Sequence, residues 1–333
     1  MKFSFSSINL YNKIPLALAV SAVLSAPVMA ASPEFSGGLE LDFDASTTDA
    51  TDTVFDQDGF VELNVSSRRE KGDHFVMVKG GIRLTSDGDN DVVVRDTYIQ
   101  FGDSSWDLQI GRFEAINLFP LGKDTAISNA GVTVYEANKV RGFVGTDGGQ
   151  IVLHAKASDS VSFELDTLFG DGDVSGDGDS QTSFAGIRPS VTFGSDTFSL
   201  TAGMESVQYD LAATGDVDQT GVAIAMAFGL ENADVNVAIA NLDDKSTGAT
   251  VEGVTSFTAN FTSGNFGAGI ILSKEDLAAG GPNPDLRTVY AAYTIPLFGI
   301  EDASVTLAAS HSAADNVADD SATMFRTRFN YTF

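Results

Sequence analysis

The last nine residues alternate without a break. Phe325, Thr327, Phe329, Tyr331 and Phe333 fall on one side of an extended chain, and Arg326, Arg328, Asn330 and Thr332 on the other. A period of two, with one apolar and one polar face, marks a half-buried strand. The pattern recurs along the chain. Phe35, Leu39, Leu41 and Phe43 oppose Glu34, Glu40, Asp42 and Asp44; Val61, Leu63 and Val65 oppose Glu62, Asn64 and Arg68. Val161, Phe163, Leu165 and Phe169 oppose Ser162, Glu164 and Asp166; Val235, Val237 and Ile239 oppose Asn236 and alanines. No amphipathic 3.6-residue pattern of useful length follows residue 30, so the predicted class is all-β.

Two architectures use such strands. A soluble sandwich turns the apolar face inward and the charged face to bulk water. A membrane barrel turns the apolar face to lipid and the polar face to a lumen. The links separate them. Short connections at Gly194-Ser195-Asp196 and Ser263-Gly264 alternate with long polar ones at 45–57, 171–181, 210–218, 244–250, 275–286 and 314–321. Short turns at one end and long loops at the other are expected of a barrel. Segments at 34–44, 58–68, 73–86, 91–102, 106–112, 149–157, 160–169, 182–193, 197–209, 219–229, 234–243, 251–262, 265–274, 287–296, 303–313 and 322–333 make sixteen strands. The even count requires 113–148 to be one connection. An extra strand at 138–145 would move the loop 171–181 to the short-turn side. A connection of this length without strands of its own is usually functional.

Residues 1–30 read as an address. Lys2 and Lys13 precede or flank the apolar run Ile14–Leu24, and Val28-Met29-Ala30 supplies small residues at −3 and −1. That is a secretory signal peptide, too short to span a bilayer, which needs about 20 apolar residues. The expected mature domain is 31–333. The whole chain has 19 basic and 46 acidic residues. Removing a leader with two Lys and no acid leaves 17 against 46, a net charge of −29. Nucleic acid is excluded as a partner, because phosphate repels such a chain. With no Cys, disulfides, thiolate metal sites and thiol nucleophiles are excluded. His74, His154 and His311 stand far apart, with no HExxH and no Ser–His–acid arrangement, and read as histidines without a catalytic or metal role, His154 alternating toward the lumen. An enzyme on a barrel is disfavoured.

Three stretches carry a family resemblance. Arg95-Asp96-Thr97-Tyr98-Ile99-Gln100-Phe101-Gly102, followed by Leu108-Gln109-Ile110-Gly111-Arg112, resembles the fourth and fifth strands of the sixteen-stranded trimeric general diffusion porins of Gram-negative outer membranes. Asn117-Leu118-Phe119-Pro120-Leu121-Gly122-Lys123-Asp124-Thr125 resembles their third loop, which folds into the barrel and narrows it. The aromatic strand ending in Phe333 resembles their assembly signal. The resemblance implies a transmembrane antiparallel barrel of about 16 strands, a homotrimer, contact with outer-membrane lipid and lipopolysaccharide, and recognition of Phe333 by the barrel-assembly machinery. Small hydrophilic solutes would diffuse through its water-filled lumen.

The resemblance also implies a constriction between a basic wall and an acidic loop. Arg95 and Arg112 match wall arginines, and Arg141 is a third candidate. Lys79 and Arg83 share the parity of Thr85, opposite Val78, Ile82 and Leu84, and so point inward. On the loop, Asn117 and Leu121 stand where acids are usual; Asp124 stays acidic and Glu114 is a partial replacement. This departure leaves room for a carbohydrate-selective relative, beside the different-class alternative of a secreted soluble β-sandwich binding protein. Glu40, Glu62, Glu164, Asp166 and Glu205 share inward parity and, as acidic rings, predict a modest cation preference. No cofactor is expected. Asp171, Asp173, Asp177 and Asp179 open like a calcium loop but lack Glu at the twelfth position, where Thr182 sits, so at most a loosely bound divalent cation is expected. Trp106 and the terminal aromatics suit an interfacial girdle. Ala223, Ala225 and Ala227 form a small inner face, from close loop packing or from an open lumen.

Overall fold

In the computed structural model, residues 32–86, 92–123, 126–142, 149–172, 181–211 and 215–333 are described, the side chains of 171–172, 181–184 and 211 excepted. Among them are sixteen strands: β1 (Glu34–Thr48), β2 (Val54–Lys71), β3 (His74–Thr85), β4 (Val92–Gly102), β5 (Trp106–Arg112), β6 (Gly149–Ser158), β7 (Val161–Gly172) and β8 (Gln181–Ser195) form the first half. The second half comprises β9 (Phe198–Leu211), β10 (Gly215–Leu230), β11 (Ala233–Asp244), β12 (Val251–Ser263), β13 (Phe266–Leu277), β14 (Asp285–Pro296), β15 (Ala303–Asp315) and β16 (Ser321–Thr332). Each pairs antiparallel with its sequence neighbours, and β16 pairs with β1 to close the barrel. Closure leaves no sheet edge, which is what lets strands cross a membrane. A sandwich would have left two on each sheet.

The alternation decides which way each strand faces. Phe43, Val78, Ile99, Leu165, Ile224, Ile239, Leu307 and Phe329 all point outward and are exposed. In water this would be a severe liability; against hydrocarbon it is the solvated state. Toward the short-turn end the outward positions become aromatic, with Trp106, Phe163, Phe193, Phe261, Phe266 and Tyr331 exposed there. Such rings suit the interface between hydrocarbon and headgroups. The start of β1 and the end of β16 lie at this short-turn end. Phe333 finishes the seam by backbone, donating its N–H to Gly37 O at 3.0 Å and accepting from Gly37 N at 2.9 Å. A Cβ at Gly37 would run into the Phe333 ring and the Glu62 carbonyl, so this closure needs glycine.

The strands run further than predicted on the long-loop side. The link expected at 45–57 shrinks to 49–53, and that at 275–286 to 278–284. The added residues are mostly polar, with only scattered apolar positions such as Phe55, so no sustained alternation marks them. Backbone pairing and side-chain contacts such as Thr47 Oγ1 to Thr53 Oγ1, 2.9 Å, carry the ladder on.

Candidate constriction and its loop

The buried hydrophobic core lies inside the barrel and is made by the long connection. Phe113, Ala115, Leu118, Phe119, Ala126, Ala130, Val132, Tyr135, Ala137 and Val140 are all buried, though none is in a strand. The outgoing limb passes β6 to β13. Glu164 of β7 accepts from Ile116 N at 3.1 Å, Asn260 of β12 donates to Pro120 O at 2.7 Å, and Lys123 Nζ reaches Gly264 O at 3.5 Å. The returning limb starts at β15, where Ser312 Oγ donates to Ser128 O at 2.5 Å, and passes Ser273, which donates to Thr133 O at 2.6 Å. Leu118, Phe119, Tyr135 and Ala137 pack on Ala223, Ala225, Ala238 and Ala240 of β10 and β11. The alanine face is therefore small because the loop lies on it. Gly221 continues that face: any Cβ there would collide with the Tyr135 hydroxyl.

A group of buried charges clamps the returning limb. Glu205 of β9, 2% exposed, accepts from Tyr135 Oη at 2.6 Å, Lys139 N at 3.1 Å and Val140 N at 3.0 Å. Arg188 of β8, fully buried, donates Nη2 to Ile116 O at 2.8 Å and Nε to Ala137 O at 3.2 Å. It thereby ties both limbs to one guanidinium, a planar donor fork suited to two carbonyls. Arg188 also lies 3.6 Å from Glu164 and 3.8 Å from Glu205. Burial and the Glu205 carboxylate push the Tyr135 phenol far above its usual range, so it remains a donor at every ordinary pH. These placements correct an expectation. Glu164 and Glu205 do face inward, but they hold the loop, while buried Asp166 accepts from Gln150 of β6, which in turn bonds the loop at Phe113 and Arg141; they do not ring an open vestibule. His154 joins the same group of inward charges: its Nδ1 lies 2.7 Å from Asp107 and its Nε2 3.3 Å from Glu164.

The wall from β16 through β1 to β5 turns a row of charged side chains toward the lumen. Across the seam, Arg326 pairs with Asp44 and Arg328 with Asp42, each through two hydrogen bonds, and Arg328 also meets Glu40 at 3.0 Å. On β3, Arg83 holds Glu62 at 2.8 Å while its guanidinium lies 3.5 Å over the Phe60 ring; Lys79 pairs with Asp96. Arg95 reaches the lumen through a bulge. Tyr98 and Gln100 point inward, and strict alternation would send Arg95 to lipid. The β3–β4 register slips between Gly80 and Ile82, and Arg95 ends 3.6 Å from Glu62 on the inner face. Re-aiming a side chain in this way is a recurrent use of bulges.

The remaining expected residues are less uniform. Arg112 follows Gly111 (φ 138°) and donates Nε to Val94 O at 3.1 Å, propping the bulge beside Arg95. Arg141 belongs to the loop and not to the wall: it donates Nε to Ala115 O at 3.0 Å and pairs with Glu114 at 3.1 Å, stitching the loop's two ends. Asn117 is exposed, with its Oδ1 accepting from Phe119 N at 2.9 Å in a local turn. Asp124 lies outside the described residues, as do Asp173, Asp177 and Asp179 and the side chain of Asp171. Glu136 was missed. It lies between buried Tyr135 and Ala137, and burial raises its carboxyl above the ordinary range against the opposing pull of Arg141. Its only sequence signal was position, an acid within the long connection.

A closed sixteen-strand barrel, apolar outside, charged inside and partly filled by its own third long connection, is an outer-membrane channel of the porin class. The chain belongs to the family described as porin-like glycoporin RafY, whose model matches residues 40–333. Among solved structures it is similar to the in-vitro folded trimer form of OmpT, an outer membrane protein of Vibrio cholerae, at 11% identity and a TM-score of 0.66 over 90% of this chain and 99% of that one. It is also similar to the anion-selective porin from Comamonas acidovorans, at 11% identity and a TM-score of 0.65 over 91% and 99%. No curated protein matches the chain by sequence.

Proposed function

We propose that the protein is a passive channel admitting small hydrophilic solutes and ions across the outer membrane, with a modest preference for cations. The observation that carries this is the division of the lumen. One side is sealed by a clamped loop, while the other keeps a wall of ion pairs facing the remaining path. A narrow passage with low-dielectric walls strengthens every such charge relative to water. The wall cations Lys79, Arg83, Arg95, Arg326 and Arg328 each stand beside a carboxylate, whereas Asp56 and Asp58 share the inward parity with no ion pair among the described residues. The balance favours cations.

By analogy with the trimeric relative, three barrels would associate through lipid-facing strands, after export directed by residues 1–30 and assembly through Phe333. Loosely bound divalent cations at 171–179 and lipopolysaccharide contacts belong to the same reading. No catalytic step is part of it. A second reading, preference for saccharides, is favoured by the glycoporin family description and by Asn117 and Leu121 at loop positions where acids are usual. Planar-bilayer recordings test both. Stepwise conductance with a reversal potential favouring potassium is expected, and absence of stepwise conductance from the folded barrel would overturn the channel reading. Maltose-series sugars that block at millimolar concentration would move the assignment to the second.

A further inference from the structure

A recess of roughly 430 Å³ lies at the short-turn end, and Ile116 of the long loop is part of its lining. Asp107, His154 and Glu164 line it from three neighbouring strands. Two carboxylates converge there on one imidazole. Nδ1 of His154 lies 2.7 Å from Asp107 Oδ1 on β5, and Nε2 lies 3.3 Å from Glu164 Oε2 on β7. An imidazole offers a hydrogen from both nitrogens only as the imidazolium; the neutral ring turns a lone pair on one of its two neighbours. Glu164 is also a holder of the loop, because both of its oxygens accept from Ile116 N, at 3.1 and 3.3 Å.

The other charged groups around the ring have partners of their own. Lys156, on the same strand, pairs with Asp159 at 3.1 Å. Asp103, in the turn between β4 and β5, accepts from Ser105 N at 2.8 Å and Ser105 Oγ at 2.6 Å. Asp166 of β7 accepts from Gln150 at 3.2 Å, and Arg188 of β8 stands on the far side of Glu164 at 3.6 Å. Asp107 has a second donor, Gln100 Nε2 at 2.8 Å, and the shorter contact to the ring. The last ring hydrogen therefore stays toward Asp107, and Glu164 is the carboxylate that meets the lone pair. We infer that His154 is a positioning residue for the long loop: its charged ring holds Glu164 against Ile116, and loss of that charge as pH rises loosens the outgoing limb. The recess gives the ring its access to protons at the short-turn mouth.

The inference rests on the channel reading and deepens it. Its test is single-channel recording of the purified barrel at fixed salt from about pH 5 to about pH 10, a span that contains histidine titration. Wild-type steps should be quiet at low pH and become larger, with severalfold more open-channel noise, as pH rises. His154→Gln, neutral throughout, should show the large, noisy steps at every pH. His154→Arg, charged throughout and with the recess to take its extra length, should keep quiet steps to the top of the range. His311→Gln, at an exposed position on the outer face, should follow the wild type. Normal heat-modifiable migration of the variants would verify their folding. Wild-type steps that do not change with pH, or an equal change in His154→Gln, overturn the inference while leaving a conducting channel. A folded barrel without conductance overturns both readings.

Discussion

Arg328 and Asp42 face each other across the only seam between the first and last strands, with Nε to Oδ1 at 2.7 Å and Nη2 to Oδ2 at 2.6 Å. Asp42 is 4% exposed. Arg328→Ala removes both of these charge-assisted hydrogen bonds, while Arg326 Nη1 stays 3.1 Å from Asp42, so the loss lies below the cost of about 3–5 kcal/mol for a fully stranded buried charge. Arg328→Ala should therefore lower the denaturant midpoint of the purified barrel clearly. The exposed pair Arg287–Asp315 is the control, since such pairs contribute about 0–1 kcal/mol. Equal small losses for Arg328→Ala and Arg287→Ala would mean that the seam pairs do not close the barrel.

The aromatic face of the same strand predicts an assembly defect of another kind. Phe333→Ala removes ring surface at the interface, and its backbone bonds to Gly37 join the strand ends. Membrane-inserted yield should fall more for Phe333→Ala than for Arg328→Ala, measured by heat-modifiable migration in isolated outer membranes. Equal normal insertion of both would count against a role for this residue in assembly.

The loop clamp predicts a change in current. Glu205→Ala takes the acceptor from Tyr135, Lys139 and Val140 together, and leaves Arg188 with less counter-charge. The returning limb should loosen, giving larger and noisier single-channel steps. Gly221→Ala should act more mildly on the same limb, because a methyl group there must displace Tyr135 and overpacking costs about 1–3 kcal/mol. Quiet, unchanged steps from Glu205→Ala would place the loop's restraint elsewhere.

Much of this was legible beforehand, for a physical reason. Strand side-chain direction has a period of two, and lipid on one face makes that period visible from Phe325 to Phe333. Parity of long and short links then fixed the count and singled out 113–148. The site was harder to read. Arg95 reaches the lumen by a bulge, a slip of register that leaves no mark in the alternation. Glu205 and Arg188 carry the same inward parity as a pore-lining residue, and only the path of the loop distinguishes a clamp from a vestibule. Arg141 could not be assigned to the loop from sequence, because its partners, Glu114 and the Ala115 carbonyl, lie 27 and 26 residues away along a segment with no periodicity.

Glu136 gives a pH-dependent prediction. Burial raises its folded-state value above that of an unfolded glutamate, which lies near about 4.3. The group's contribution is therefore fully present below the unfolded value and is lost as pH rises through the folded one. Glu136→Gln should match the wild type in stability at low pH and exceed it at neutral pH. Denaturant midpoints at a series of pH values check this; a constant difference between the two proteins would show that Glu136 is not desolvated.

Ion preference is decided by which charges the path still feels. Asp56 and Asp58 sit on β2 opposite Asp44 and Asp42, whose charges are taken up by Arg326 and Arg328. Both are exposed, and no cation pairs with them among the described residues. At about 0.01 M salt the screening length is about 30 Å, long enough for the two carboxylates to act across the lumen; at about 0.15 M it is about 8 Å and their reach is local. The wild type should thus select potassium over chloride most strongly in dilute salt and progressively less as salt rises. Asp56→Asn with Asp58→Asn should bring the permeability ratio toward one in dilute salt and change little in concentrated salt. Arg95→Gln should act in the opposite direction, freeing Glu62 from one of its two cations and strengthening the preference. Reversal potentials across a potassium chloride gradient measure all three. A wild-type channel that favours chloride in dilute salt would mean that the arginine wall outweighs the acids and that the pairing with Glu62, Asp42 and Asp44 does not neutralise it.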